Sequence, residues 1–133
     1  MSTKIFVNLP VKDLDKSIAF FTDLGYSINE QFTDEKAASV VISDDIYVML
    51  LVESFFQSFT SRDVVDATKG TEAIMCLGLD SRDQVDELAD RALAAGGQPA
   101  NDPMDEGFMY GRSFHDLDGH LWEVMYMDPT AVQ

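Results

Sequence analysis

Residues 107–128 read GFMYGRSFHDLDGHLWEVMYMD, and the fold is decided by how this stretch turns. Two β-rich runs flank Asp116-Leu117-Asp118-Gly119, where Asp and Gly tolerate the backbone angles of a reversal. A tight turn that sets His115 opposite His120 predicts a hairpin by outward counting. Phe114 then faces Leu121, Ser113 faces Trp122, Arg112 faces Glu123 and Tyr110 faces Met125. Facing residues of an antiparallel pair share a side of the sheet. One side is therefore expected to carry Tyr110, Arg112, Phe114, Leu121, Glu123 and Met125. The other is expected to carry Ser113, Trp122, Val124 and Tyr126, with these last three packed on a helix. A Glu–Arg couple among aromatic and apolar neighbours is the unusual feature of the first side.

Upstream, Glu72–Leu79 is a β-rich run, and Ser81 with Gln84 makes a capping-box start to a helix. Val85, Leu88, Ala92 and Leu93 or Ala95 give that helix one apolar face, and Gly96-Gly97 ends it. Gln98–Asn101 adds a minor strand before the hairpin. The same order occurs at the start of the chain. Ile5–Val11 reads as a strand, Asp13 as a helix N-cap, and Leu14, Ile18, Phe21 and Leu24 as a helical apolar face closed by Gly25. Strand candidates Tyr26–Thr33, Ala37–Ser43 and Ile46–Val52 follow. Glu53–Thr68, with Phe55, Phe56, Phe59, Val64 and Val65, lacks strand alternation and reads as a short helix and a connection. Asp66–Gly70 reads as a linker. Strand, helix and three strands thus occur twice, displaced by about 68 residues (Leu9-Pro10-Val11 against Leu77-Gly78-Leu79). The expected organisation is α+β: two tandem βαβββ modules, 1–68 and 69–133, in one domain.

Composition bounds the function. A chain of 133 residues with 46% hydrophobic and 11% aromatic content is long enough to bury a core and is not disordered by default. Its net charge of −15, from 9 basic and 24 acidic residues, argues against nucleic acid and against an anionic membrane surface. The longest apolar run, Ile46–Val52, is strand-length, and MSTKIFVNLP lacks the apolar core of a secretory signal. A single cysteine, Cys76, excludes an internal disulfide and fits a reducing compartment. A soluble, cytoplasmic protein is expected.

Two βαβββ units, with strand–Asp–helix–Leu-Gly-Tyr near the start and Asp-x-Asp-Gly-His-x-Trp-Glu near the end, resemble the vicinal oxygen chelate superfamily. That is the group of glyoxalase I, extradiol dioxygenases, and fosfomycin- and bleomycin-resistance proteins. The residues that carry the resemblance are Leu9, Val11, Asp13, Ser17, Phe20, Phe21, Leu24, Gly25, Asp116, Asp118, Gly119, Trp122 and Glu123. The resemblance implies that each module curls its strands into a half-barrel with the helix outside, and that two modules enclose a cleft. It fixes no single activity, because unrelated chemistries share that scaffold. It also implies metal-ligand positions on the first and last strands of each module, which fall here on Phe6, a residue near Leu50, Ile74 and Glu123. Only Glu123 carries a donor, and the neighbours of Leu50 at the second position, Met49 and Leu51, are no better as ligands. A catalytic divalent ion generally needs three protein ligands of N, O or S type, so the usual metal site is not expected, nor any cofactor.

Glu123 has two readings: a cleft carboxylate serving as base or ligand acceptor, or the ion-pair partner of Arg112. The pair is preferred because buried charges are normally paired, and a paired carboxylate is a poor base at neutral pH. Arg112 offers a planar fork for an anion, and Asn8 should share the face of Phe6. His115 and His120 are read as turn residues, and Cys76 as an inert buried thiol. Phe55, Phe56, Phe59, Phe108, Met109 and Tyr110 are candidates for a pocket wall. The resulting expectation is a homodimeric, metal-independent binder of a small, partly aromatic or amphipathic molecule. Its cleft would be lined by Phe6, Asn8, Leu50, Ile74, Tyr110, Arg112, Glu123 and Met125. Two alternatives stay open: a superfamily lyase, isomerase or dioxygenase using Glu123 with atypical ligands, and a non-catalytic dimeric interaction module.

Overall fold

Asp13 starts the first helix by accepting the Lys16 amide N–H at 3.1 Å, one of the donors a helix start leaves unpaired. This helix, α1 (Leu14–Asp23), gives way to Gly25 at φ 106°, a left-handed angle that suits glycine. The computed structural model describes residues 3–131, and the chain divides into two units, Met1–Val65 and Asp66–Gln133. Besides α1, the first unit contains strands β1 (Ile5–Val11), β2 (Ser27–Asn29), β3 (Ala37–Val41) and β4 (Ile46–Val52), and a short helix α2 (Glu53–Gln57). Strand β2 is shorter than the expected Tyr26–Thr33. Asn29 Oδ1 accepts the Gln31 amide at 3.1 Å and opens a 3-10 turn, Glu30–Phe32, so local bonding replaces the sheet ladder.

The sheet order is β1-β4-β3-β2, with β1 parallel to β4 and the other pairs antiparallel. Helix α1 packs on β3 and β4 and buries Leu14, Phe20 and Phe21. Register places Leu9, Val48, Leu50, Ala38 and Val40 on one buried face of the sheet. The opposite, open face carries Phe6, Asn8, Tyr47, Met49, Ser39 and Leu51. Leu50, expected in a cleft, is fully buried on the other side. The slip is one residue, and strand alternation makes one residue a change of face.

The second unit contains β5 (Ile74–Gly78), α3 (Arg82–Ala94), the two-residue strands β6 (Gln98–Pro99) and β7 (Met104–Asp105), then β8 (Met109–His115) and β9 (Leu121–Met127). Ser81 Oγ accepts the Gln84 amide at 3.1 Å while Gln84 Oε1 accepts the Asp80 amide at 2.9 Å, so the two side chains cap the start of α3 reciprocally. The strand order is β5-β9-β8-β6, with β7 also paired to β8 and β5 parallel to β9. Helix α3 packs on β8 and β9. Val85, Leu88, Ala89 and Ala92 are buried in this unit together with Phe114, Trp122 and Val124, and the Phe114 and Trp122 rings lie parallel at 6.5 Å. Burying each of these large side chains contributes about 1.5–3 kcal/mol. Among the described residues no helix is long and apolar enough to cross a membrane.

The hairpin register differs from the counted one. His115 faces Leu121, Phe114 faces Trp122, Ser113 faces Glu123 and Arg112 faces Val124. Asp116 closes the loop by donating its amide to His120 O at 3.0 Å, and Gly119, at φ 90°, donates to Asp116 O at 3.1 Å. This is a type I turn followed by a left-handed bulge residue, so the loop holds one residue more than a symmetric tight turn. One extra residue exchanges the faces of a whole strand. Phe114, Arg112 and Tyr110 accordingly lie on the α3 side with Trp122, Val124 and Tyr126. Ser113 and Gly111 lie on the open side with Glu123 and Met125.

Candidate functional site

In the second unit the open face is built by alternation along three strands. Cys76 on β5 pairs with Glu123 on β9, which pairs with Ser113 on β8, and Ser113 Oγ accepts the Asn101 amide at 2.8 Å. The neighbouring row runs Gly78, Met125, Gly111 and Met104. Glu123 and Met125, with Asn101, Asp102, Met104 and Ser113, line a cavity of about 210 Å³. Glu123 is half-buried, and among the described residues its carboxylate takes part in no hydrogen bond or ion pair. Its charge reaches Cys76, whose thiol is pushed up in pKa by partial burial and then by Glu123. Cys76 is exposed on this face rather than buried as expected, and a thiol held protonated is a poor nucleophile. Ile74, two residues before Cys76, shares its side and is 54% exposed.

Arg112 also borders the Glu123 cavity, but register directs its side chain, like that of Tyr110, to the α3 side of the sheet. Arg112 Nη1 donates to Asp90 at 2.9 Å and to Asp86 at 3.2 Å, both on α3, and Tyr110 Oη donates to Asp86 at 2.5 Å. The Arg82 guanidinium lies 4.5 Å from the Tyr110 ring centroid and pairs with Asp105. The Tyr110 hydrogen bond, with help from Arg112, holds the Asp86 carboxyl below the usual carboxylate range, and the same bond pushes the Tyr110 phenol up. These residues tie helix to sheet. The expected Arg112–Glu123 pair does not form, because the register sends the two side chains to opposite faces.

The hairpin loop is likewise structural. Asp116 is buried and accepts from Trp122 Nε1 at 2.9 Å and from the amides of Asp118 and His120, each at 3.0 Å. Burial outweighs these bonds and pushes its carboxyl above the ordinary range. His120 is not an exposed turn residue. It is 1% exposed, with Nδ1 2.9 Å from Glu72 Oε1, whereas His115 Nδ1 lies 3.2 Å from Gly119 O. The two imidazoles thus have different partners.

In the first unit, Phe6 and Asn8 do occupy the open face. The Phe6 ring stacks on Tyr47 at 5.1 Å and 11°, and Asn8 Nδ2 donates to Phe6 O at 3.2 Å. Phe56 and Phe59, as expected of wall residues, line a cavity with Asn8, Leu51 and Thr60, and Phe55 meets Phe59 edge-on at 5.0 Å. Ser39, Asn29, Phe32 and Tyr47 line a further cavity with Phe6 and Lys4. None of these four was singled out from sequence. The signal for Ser39 was a lone hydroxyl in an otherwise apolar run, Ala37–Val41.

This arrangement is that of many solved structures. A hypothetical protein from S. aureus is 31% identical over 95% of each chain, with a TM-score of 0.79. A glyoxalase/bleomycin resistance protein/dioxygenase family enzyme from Burkholderia phytofirmans PsJN shares the fold at 15% identity, covering 95% of this chain and 99% of that one, with a TM-score of 0.78. Residues 3–43 match the family model described as bleomycin resistance protein-like N-terminal. The chain has the fold of the glyoxalase/bleomycin resistance/dioxygenase proteins. A genomically encoded fosfomycin resistance protein from Listeria monocytogenes also shares the family fold, at 21% identity over 95% of this chain and 91% of that one, with a TM-score of 0.67. A comparison with curated protein sequences found no match.

The family's metal positions can be tested against the residues present. Register shows that the second position, on the face of Phe6, is Met49 rather than Leu50. The set is then Phe6, Met49, Ile74 and Glu123: two hydrocarbons, a thioether that suits only soft ions, and one carboxylate. Among the described residues no group of three or more His, Cys, Asp and Glu side chains is placed to hold an ion. The donor set does not fit the family's divalent metal.

Proposed function

We propose that this chain binds a small amphipathic, partly aromatic molecule on the open faces of its sheets, without the family's divalent metal. The observation that carries the reading is Glu123: a half-buried carboxylate with no partner among the described residues, lining a cavity beside Met104 and Met125. Polar groups in such positions normally acquire a partner, and a ligand's N–H or protonated amine supplies one. The methionines suit the apolar remainder, since their flexible thioethers adapt to irregular shapes. Asp102 on the same cavity and the net charge of −15 favour a cationic or donor group over an anionic one. Arg112 takes no part in this account, and neither do Tyr110 or Leu50. Phe6, Asn8, Ile74, Glu123 and Met125 remain as the ligand-facing set from the original eight.

A homodimer is part of the same proposal. Ile5, Phe6, Ile46 and Ile74 are all at least 40% exposed, and apolar side chains of this size are good interface material. Sedimentation velocity at two protein concentrations tests it, with a dimer as the expected species and a monomer throughout as the contrary one. The ligand reading is tested by a thermal-shift screen of aromatic and aliphatic amines against the wild type and Glu123→Gln. A native-state ligand raises the melting temperature. The expected result is stabilisation by cationic amphiphiles that is lost in Glu123→Gln. Equal shifts in both proteins would overturn the role of Glu123.

A further inference from the structure

The open face of the first sheet carries a separate arrangement. Register pairs Asn8 with Met49, Met49 with Ser39 and Ser39 with Asn29, so four side chains form a row across all four strands. Beside that row, on the same face, lie the stacked rings of Phe6 and Tyr47. Phe32, on the 3-10 turn after β2, is 63% exposed. Phe6, Tyr47, Phe32, Ser39, Asn29 and Lys4 line a cavity of about 300 Å³, within the size range of small-molecule sites.

Ser39 is the telling residue. It is 1% exposed, and its amide donates to Thr33 Oγ1 at 3.2 Å. Its own hydroxyl bonds to no described residue, yet it is not sealed off from the cavity it lines. Proteins seldom leave a buried hydroxyl without a partner. Asn29 stands opposite it with Oδ1 engaged by the Gln31 amide, which leaves Nδ2 as a donor. Lys4 is occupied: its ammonium donates to Asp44 O at 2.9 Å and pairs with Asp45 at 3.4 Å. The cavity thus has aromatic faces and a neutral, donating edge.

We infer that this cavity binds a flat heteroaromatic ring. The ring lies against Phe6, Tyr47 and Phe32, and an acceptor on its edge, a ring nitrogen or a carbonyl oxygen, takes the Ser39 O–H. Stacking supplies shape and area, and the acceptor supplies selectivity, because a purely hydrocarbon ring leaves Ser39 unsatisfied. The inference rests on the reading that the open faces take small molecules, but it uses none of the residues of the Glu123 cavity.

The test is NMR titration of ¹⁵N-labelled full-length protein with quinoline and with its hydrocarbon isostere naphthalene. The expected result is that quinoline shifts the amides of Phe6, Asn29 and Ser39 and binds about five-fold tighter than naphthalene, the usual worth of one neutral hydrogen bond. Ser39→Ala should abolish that preference while naphthalene binding is kept, and Phe32→Ala should weaken both ligands. Neither change removes a packed core side chain, so both variants should retain the native spectrum. Equal affinity of the two rings in the wild type, or an undiminished preference in Ser39→Ala, would overturn the inference. So would quinoline shifts confined to Glu123 and Met125, an outcome that leaves the function proposed above standing. Loss of the amine response in Glu123→Gln is a separate readout, and its failure would not move the quinoline result.

Discussion

Arg112 and Glu123 lie on opposite faces of the second sheet: Arg112 faces Val124 across the hairpin and reaches Asp86 and Asp90 on α3, while Glu123 faces Ser113 on the open side. A double-mutant cycle between Arg112→Met and Glu123→Leu should therefore show no coupling in urea denaturation. A cycle between Arg112→Met and Asp90→Asn should show about 0.3–1 kcal/mol, the range for a partly exposed ion pair. Coupling above about 1 kcal/mol between Arg112 and Glu123 would mean that the register is wrong.

Asp116 holds the hairpin loop to Trp122. Asp116→Asn can still accept the two backbone amides through its carbonyl, but presents an N–H to the Trp122 Nε1–H. Leaving that buried indole donor unpaired should cost about 1–3 kcal/mol. Thermal denaturation and the emission of this single tryptophan provide the measurement. An unchanged melting temperature and spectrum would show that the bond has no structural weight.

Gly119 is constrained twice. Its φ is 90°, and a Cβ there would stand 3.0 Å from the Ala67 carbonyl and from Thr68 Cγ2. Gly119→Ala should destabilise by more than about 1 kcal/mol, since both the backbone angle and the space oppose a side chain. Denaturant midpoints of wild type and variant decide it, and a neutral result would contradict the bulged turn.

The Tyr110–Asp86 hydrogen bond gives stability a pH dependence at two ends. Asp86 is lowered, chiefly by Tyr110, so its contribution is present above the ordinary aspartate pKa and is lost as pH falls through the lower, folded value. Tyr110 is raised, chiefly by Asp86, so its contribution is present below the ordinary tyrosine pKa and is lost as pH rises through the higher, folded value. Asp86 is well exposed, so solvent screening keeps the effect below about 1 kcal/mol. Tyr110→Phe should flatten both limbs of a stability–pH curve measured by urea denaturation. Parallel curves for wild type and variant would contradict it.

Much of this fold was legible because it rests on local signals. Asp13 and Ser81 cap their helices as their spacing requires, and Trp122 and Val124 flank Glu123 in a β-rich run, so strand alternation puts both on the core side. The register of β8 was not legible. Asp116–Gly119 permits either a symmetric turn or a bulged one, and only the Asp116–His120 closure selects the latter. That single residue moved the side chains of Tyr110 and Arg112 to the α3 side and Ser113 to the open side. Leu50 fell out for the same reason, since strand parity in β4 is set by its pairing with β1. His120 was misplaced because its partner, Glu72, lies 48 residues away in sequence, beyond any local pattern.

Glu123 is proposed to serve an organic ligand and not a metal ion. Isothermal titration of chelator-treated protein with Zn²⁺ or Ni²⁺ tests it most directly. No stoichiometric binding is expected in the wild type, and no difference between wild type and Glu123→Ala. One equivalent of tightly bound ion, lost in Glu123→Ala, would contradict it.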